Sequence, residues 1–135
     1  KCIVEGKARG NLIGGNLSII CSSLGTENEI DTRNKILFIE EIGEEPYKVD
    51  RMLLQLVQAG KINDCAGIIF GYFSSCEPSN PNQSLTISEV IKELIKPCGK
   101  PIIAGVACGH SLPSLTLPMG VEVVIDSKNK NIKII

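Results

Sequence analysis

Residues 35–60 read KILFIEEIGEEPYKVDRMLLQLVQAG, and two changes of character within them decide the fold class. Ile36, Leu37, Phe38 and Ile39 form a short apolar run of the kind that makes a buried strand. The chain then turns acidic, with Glu40, Glu41, Glu44 and Glu45 set around Gly43 and Pro46. From Tyr47 onward, Val49, Met52, Leu53, Leu56 and Val57 recur at the i, i+3, i+4 spacing of an amphipathic helix, which Gly60 stops. Open α/β sheets place functional groups at the carboxyl end of such a strand, where Glu40 and Glu41 stand.

Downstream the pattern repeats. CAGIIFGYF predicts a strand over residues 66–70 with Gly71 at its end, and SSCEPSNPNQS is a loop by composition. Thr86 and Glu89 have capping-box spacing before a helix whose apolar face is Ile87, Val90, Ile91, Leu94 and Ile95. Pro97-Cys98-Gly99 ends that helix and PIIAGV supplies another strand. Strand, helix, strand, helix, strand, with connections of this length, predicts parallel crossovers. After His110, SLPSLTLPMG reads as an extended stretch, and VEVVIDSKNKNIKII as two strands around a turn at residues 127–131. The expected architecture is a small α/β domain with a mixed sheet, helices packed on it, and a C-terminal β-hairpin.

Upstream, residues 2–4 predict a short edge strand. In EGKARGNLIGGNLSIICSSLGT, Gly6, Gly10, Gly14 and Gly15 predict tight turns, with a short helix from Asn16 through Ile19, Ile20 and Leu24. Neither GxGxxG nor a GK[ST] ending is present, so the glycines do not make a phosphate loop. Residues 25–34 predict a surface loop.

The 135 residues suffice for one domain with a single core, and 43% hydrophobic content supplies it. Fourteen basic and 15 acidic residues leave a net charge of −1, which argues against nucleic-acid or anionic-membrane partners. Aromatic content is 4% with no Trp, so base stacking has little to work with. No apolar run approaches the about 20 residues of a membrane helix. The six cysteines form no CxxC and lie in or beside apolar runs, as reduced structural thiols of a cytoplasmic protein would. The chain opens on Lys1 without a signal peptide, as a domain cut from a longer protein would.

His110 is the only histidine, and GVACGHSLPS puts it in a glycine-flanked loop just past a predicted parallel strand. Glu44 and Glu45 fit a solvated turn beside a helix N-terminus. Glu40 fits that description poorly. It directly follows Ile39, and alternation sends one of Glu40 and Glu41 into the sheet environment, where a carboxylate needs a partner. A histidine imidazole is a suitable one, as in Ser-His-acid triads. No serine lies in a GxSxG elbow, and Ser111 reads as a turn residue. Cys108 is two residues from His110 at the same strand end and reads as a buried thiol. One histidine, no HExxH and no clustered thiolates leave no metal site.

At these residues the sequence resembles the C-terminal domain of LD-carboxypeptidases, the serine peptidase family that includes the microcin C self-immunity proteins. The resemblance runs nearly end to end, through GNLIGGNLSII, ILFIEEIGEEPYKVDRMLLQL, GIIFGYF and GVACGHSLPSLTLPMG. It implies a swivelling β/β/α-like domain spanning residues 1–135, in which Glu40 matches the catalytic acid and His110 the catalytic histidine. Glu41 stands where the family usually has Asp. An N-terminal domain, outside these residues, would supply the serine nucleophile and the oxyanion hole, so the chain alone is expected to be inactive.

The implied reaction is hydrolysis of the amide joining an L-centred residue to a terminal D-alanine. The implied substrate is a muropeptide tetrapeptide, trimmed during peptidoglycan recycling in the bacterial cytoplasm without metal or organic cofactor. Homodimers are common in the family. A microcin C self-immunity peptidase is the alternative within it, and a short GTENEIDTRN loop favours the recycling enzyme. A non-catalytic ligand-binding α/β domain is the alternative outside it. A triad requires the Glu40 carboxylate within hydrogen-bond reach of the His110 ring, about 2.6–3.2 Å.

Overall fold

A computed structural model describes residues 1–135. Seven strands form one mixed sheet: β1 (Cys2–Val4), β2 (Lys7–Asn16), β3 (Ile36–Ile42), β4 (Gly67–Ser74), β5 (Ile102–Ala104), β6 (Glu122–Asp126) and β7 (Asn131–Ile134). Their order is β1-β5-β4-β3-β2-β6-β7, which makes β3 the central strand. Strands β2 to β5 run parallel, while β1, β6 and β7 each pair antiparallel with their neighbours. The helices are α1 (Leu17–Ser22), α2 (Pro46–Gln58), the single turn α3 (Lys61–Asp64) and α4 (Ile87–Val90). A π-helical turn, Ile91–Ile95, continues α4.

Alternation along the parallel strands builds two cores. Leu37 and Ile39 of β3, Ile68 and Phe70 of β4, and Ile102 and Ala104 of β5 face the helices, where they meet Leu17 and Ile20 of α1, Val49, Leu53 and Leu56 of α2, and Val90, Ile91 and Ile95 of the α4 region. The intervening residues Ile36, Phe38, Ile69 and Ile103 face the other way and pack with Leu12, Val123 and Ile125. The sheet curls so that β6 lies across this second face. Each fully buried Ile, Leu or Phe contributes about 1.5–3 kcal/mol, so the near-continuous apolar runs of β3 and β4 are what a parallel strand covered on both sides requires.

The helix ends follow their sequence signals. Asn16 caps α1 by accepting from Ile19 N, and Pro46 opens α2. Gly60 follows α2 at φ 78°, and Thr86 and Glu89 form the reciprocal capping box of α4.

The glycine-rich stretch departs from the turn expectation. Residues 7–16 are one ten-residue strand, β2, paired to β3 on one side and to β6 on the other. Its glycines are there for close approach. A Cβ at Gly14, where φ is +128°, would stand 1.9 Å from the Phe38 carbonyl oxygen, and one at Gly10 would stand 2.5 Å from that of Asn34. The strand therefore reads as turn-rich by composition while its glycines serve the ladder. The first helix also stops at Ser22, short of Leu24.

Gly14→Ala combines a backbone clash with a strained φ. It is expected to cost about 3 kcal/mol or more, read as a lower urea midpoint.

Candidate active site

Three parallel strands deliver the site at their carboxyl ends: β3 ends in Glu40, Glu41 and Ile42, β4 in Tyr72, Phe73 and Ser74, and β5 leads into residues 105–110. A bulge shapes the junction. Between Ile39 and Glu41 on β3 the pairing advances two residues, whereas on β4 it advances three, from Phe70 to Phe73. On the other side of β4, in phase with Ile68 and Phe70, Tyr72 N donates to Cys108 O at 2.8 Å, tying the segment that carries His110 to β4. Gly71 permits the approach, since a Cβ there would lie 2.5 Å from Cys108 O and 2.8 Å from the Phe38 ring. Gly109, at φ +130°, lies against Glu40, where a Cβ would come within 3.0 Å of Oε2.

These constraints bring Glu40 and His110 together from 70 residues apart: His110 Nδ1 and Glu40 Oε2 are 2.7 Å apart. Burial differs sharply between them. The Glu40 side chain is 7% exposed and that of His110 is 52% exposed, so the carboxylate is sunk beneath a ring that reaches the surface. The contact uses Nδ1, which as the protonated tautomer donates to the carboxylate and leaves Nε2 free to accept a proton.

Glu41 is buried too, but it engages the opposite side of the sheet. Its Oε1 accepts from Asn16 Nδ2 at 2.7 Å and Ile42 N at 2.9 Å, and its Oε2 from Ser18 N at 2.8 Å and Ser18 Oγ at 2.6 Å. Burial works to raise its pKa, but the hydrogen bonds from Ser18, Ile42 and Asn16 together outweigh it and hold the carboxyl below its ordinary value. The alternation argument expected one of the pair inside; the structure buries both, because each face offers its own partners. Sequence reasoning named no partner for Glu41, although Asn16-Leu17-Ser18 was readable as a helix start.

The remaining candidates fall into place around this pair. Glu44 pairs with Lys48 at 3.0 Å, and Glu45 accepts from the Ser79 hydroxyl and backbone, as residues of a solvated turn. Cys108 is half-buried, and burial, then the Glu40 charge, push its thiol up, away from thiolate chemistry. Ser111 is more than a turn residue, because its hydroxyl shares a hydrogen bond with that of Ser74 at the end of β4. No three His, Cys, Asp or Glu side chains converge as a metal-ligand set. No helix is long and apolar enough to cross a membrane.

A family model described as the LD-carboxypeptidase C-terminal domain matches residues 9–125. The chain belongs to the LD-carboxypeptidase family. Among relatives of this carboxypeptidase domain, a probable murein peptide carboxypeptidase of Bacillus subtilis is 46% identical over 128 residues, covering 95% of this chain and 40% of its own length. The microcin C7 self-immunity protein MccF of Escherichia coli is 33% identical over 135 residues, covering 96% of the chain and 38% of its own. A crystal structure of muramoyltetrapeptide carboxypeptidase from Oxalobacter formigenes superposes with a TM-score of 0.85 at 32% identity, covering 96% of this chain and 45% of that one. The LD-carboxypeptidase domain thus spans about 40% of the length of the curated relatives it matches.

Glu41→Gln faces an amide NH2 toward backbone or side-chain donors and is expected to lose about 1–3 kcal/mol at pH 7. The folded carboxyl is depressed below its ordinary 4.5, so the stabilisation is complete above that value and disappears as pH falls through the lower folded one. Urea titrations of variant and parent from pH 7 downward should show the gap holding above pH 4.5 and narrowing as the pH falls further into the acid range.

Proposed function

We propose that these 135 residues are the C-terminal part of a serine-type LD-carboxypeptidase that releases terminal D-alanine from muropeptide tetrapeptides. The observation that carries this reading is the 2.7 Å contact between a buried Glu40 and a half-exposed His110. The nucleophilic serine comes from a domain outside these residues. His110 Nε2 takes the hydroxyl proton as Oγ attacks the carbonyl carbon, and Nδ1–H keeps its bond to Glu40, whose charge stabilises the imidazolium. The tetrahedral intermediate collapses when the imidazolium returns the proton to the departing amine of D-alanine. Water then repeats the cycle on the acyl-enzyme, with His110 again as base, and frees the shortened peptide. Glu40 orients the ring throughout and does not itself take the proton.

Turnover of the full-length protein tests the assignment. His110→Ala and Glu40→Gln should each lower kcat for D-alanine release by about 10³-fold or more while the melting temperature stays near that of the parent. Unchanged turnover would sink the catalytic reading in favour of a ligand-binding domain.

Murein trimming is preferred to microcin immunity because the B. subtilis relative is 46% identical and MccF 33%. Fold does not separate them, since a structure of MccF also superposes with a TM-score of 0.85. Full-length protein should show a kcat/KM at least about tenfold higher for the tetrapeptide than for aspartyl sulfamoyl adenosine, the ligand of one MccF structure. All six cysteines are free, which supports a reducing, cytoplasmic location. The homodimer common in the family is checked by light scattering on the full-length protein.

A further inference from the structure

Glu40 and Glu41 are the only buried carboxylates in the chain, and the proposed reaction uses only Glu40. The two differ in how they are held. Glu40 accepts a single hydrogen bond from the protein, that of His110, so no other polar side chain steadies it. Its placement therefore comes from its backbone and from the Gly109 surface against which it lies. Glu41, by contrast, accepts four hydrogen bonds from three residues on two pieces of chain, the end of β3 and the β2–α1 junction. Ile42 N belongs to the end of β3 itself. Asn16 is the last residue of β2 and the cross-strand partner of Glu40. Ser18 lies in the first turn of α1, where the backbone N–H groups have no helical acceptor.

We propose that Glu41 is a positioning residue for the catalytic acid. Its carboxylate clamps the end of β3 to the β2–α1 junction and so fixes the backbone from which Glu40 reaches His110. The clamp sits beside the bulge between Ile39 and Glu41, where the β3–β4 register shifts before pairing resumes at Glu41 and Phe73, so it adds a tie on the β2 side to an irregular stretch of the ladder. Successive strand residues point to opposite faces, so the clamp and the catalytic carboxylate act on opposite sides of one short backbone segment. A displacement of about 1 Å at that segment breaks a 2.7 Å contact, and misplacement on that scale costs about 10²-fold in rate. The inference rests on the carboxypeptidase reading and adds a residue to it that touches neither substrate nor imidazole.

The test uses full-length protein carrying Glu41→Gln, Ser18→Ala or Glu40→Gln, assayed for D-alanine release well below each melting temperature. A second readout is the downfield Nδ1–H proton of the His110 ring in histidine-labelled protein, assigned by its loss in His110→Ala. Glu41→Gln should lower kcat about 10- to 100-fold with KM within about twofold, and should shift or broaden the Nδ1–H signal. Ser18→Ala removes one hydroxyl donor and should lower kcat severalfold with the same spectral change; it decides the matter if Glu41→Gln does not fold. A purely structural Glu41 predicts a lower melting temperature with kcat and the Nδ1–H signal unmoved, and that result overturns the proposal. If Glu40→Gln abolishes turnover while the other two variants keep parental kcat and signal, the positioning role alone fails. If Glu40→Gln also turns over normally, the carboxypeptidase reading itself has failed.

Discussion

Everything at the site depends on the burial of β3 on both faces. As the central strand of seven, it has no solvent-facing side, and its first four residues are fully or almost fully buried apolar groups. A strand so placed cannot slip by one residue without driving its whole side-chain pattern to the wrong core. That fixed register is inherited by the two residues that follow. Glu40 emerges on the face of Phe38 and Glu41 on the face of Ile39, and each meets donors that the opposite face lacks. Burying two adjacent carboxylates would be costly if they shared one environment, because like charges at that spacing resist joint ionisation. Sending them to different faces, each with hydrogen bonds, removes much of that conflict.

The histidine side is built by close approach. Residues 105–110 leave β5 and run on beside β4, where Val106 N donates to Phe70 O and Tyr72 N donates to Cys108 O. Gly71 and Gly109 are the positions at which a side chain would stand in the way. The outcome is an imidazole with one nitrogen committed to a buried acid and the other free. The ring is half-exposed, so the free nitrogen is open to a group from outside these residues.

Legibility in the sequence followed the nature of the forces. The central strand, the helix of residues 46–58, the capping box at Thr86 and Glu89, and the C-terminal hairpin all stood out, because each rests on periodicity or on contacts within a few residues. Strand β2 did not. Gly10 and Gly14 weaken a strand signal locally, and the reason for them, the carbonyls of Asn34 and Phe38, belongs to a neighbouring strand or its lead-in. Glu40 and His110 were recognisable from position and family resemblance. The Glu41 clamp and the Ser74–Ser111 hydroxyl pair were not, because their partners lie tens of residues away and Ser and Asn carry no distinctive pattern in a sequence.

The sequence by itself determined the class of the domain, the parallel order of its central elements, and the carboxylate and the imidazole that could form a pair. Those conclusions rest on hydrophobic period, charge and residue chemistry, which are properties of the chain before it folds. Tertiary structure alone decided which nitrogen of His110 faces which oxygen, how deeply each partner is buried, and what holds the second carboxylate. Such facts depend on distances between strands brought together across 23 to 70 residues, and these are set by packing.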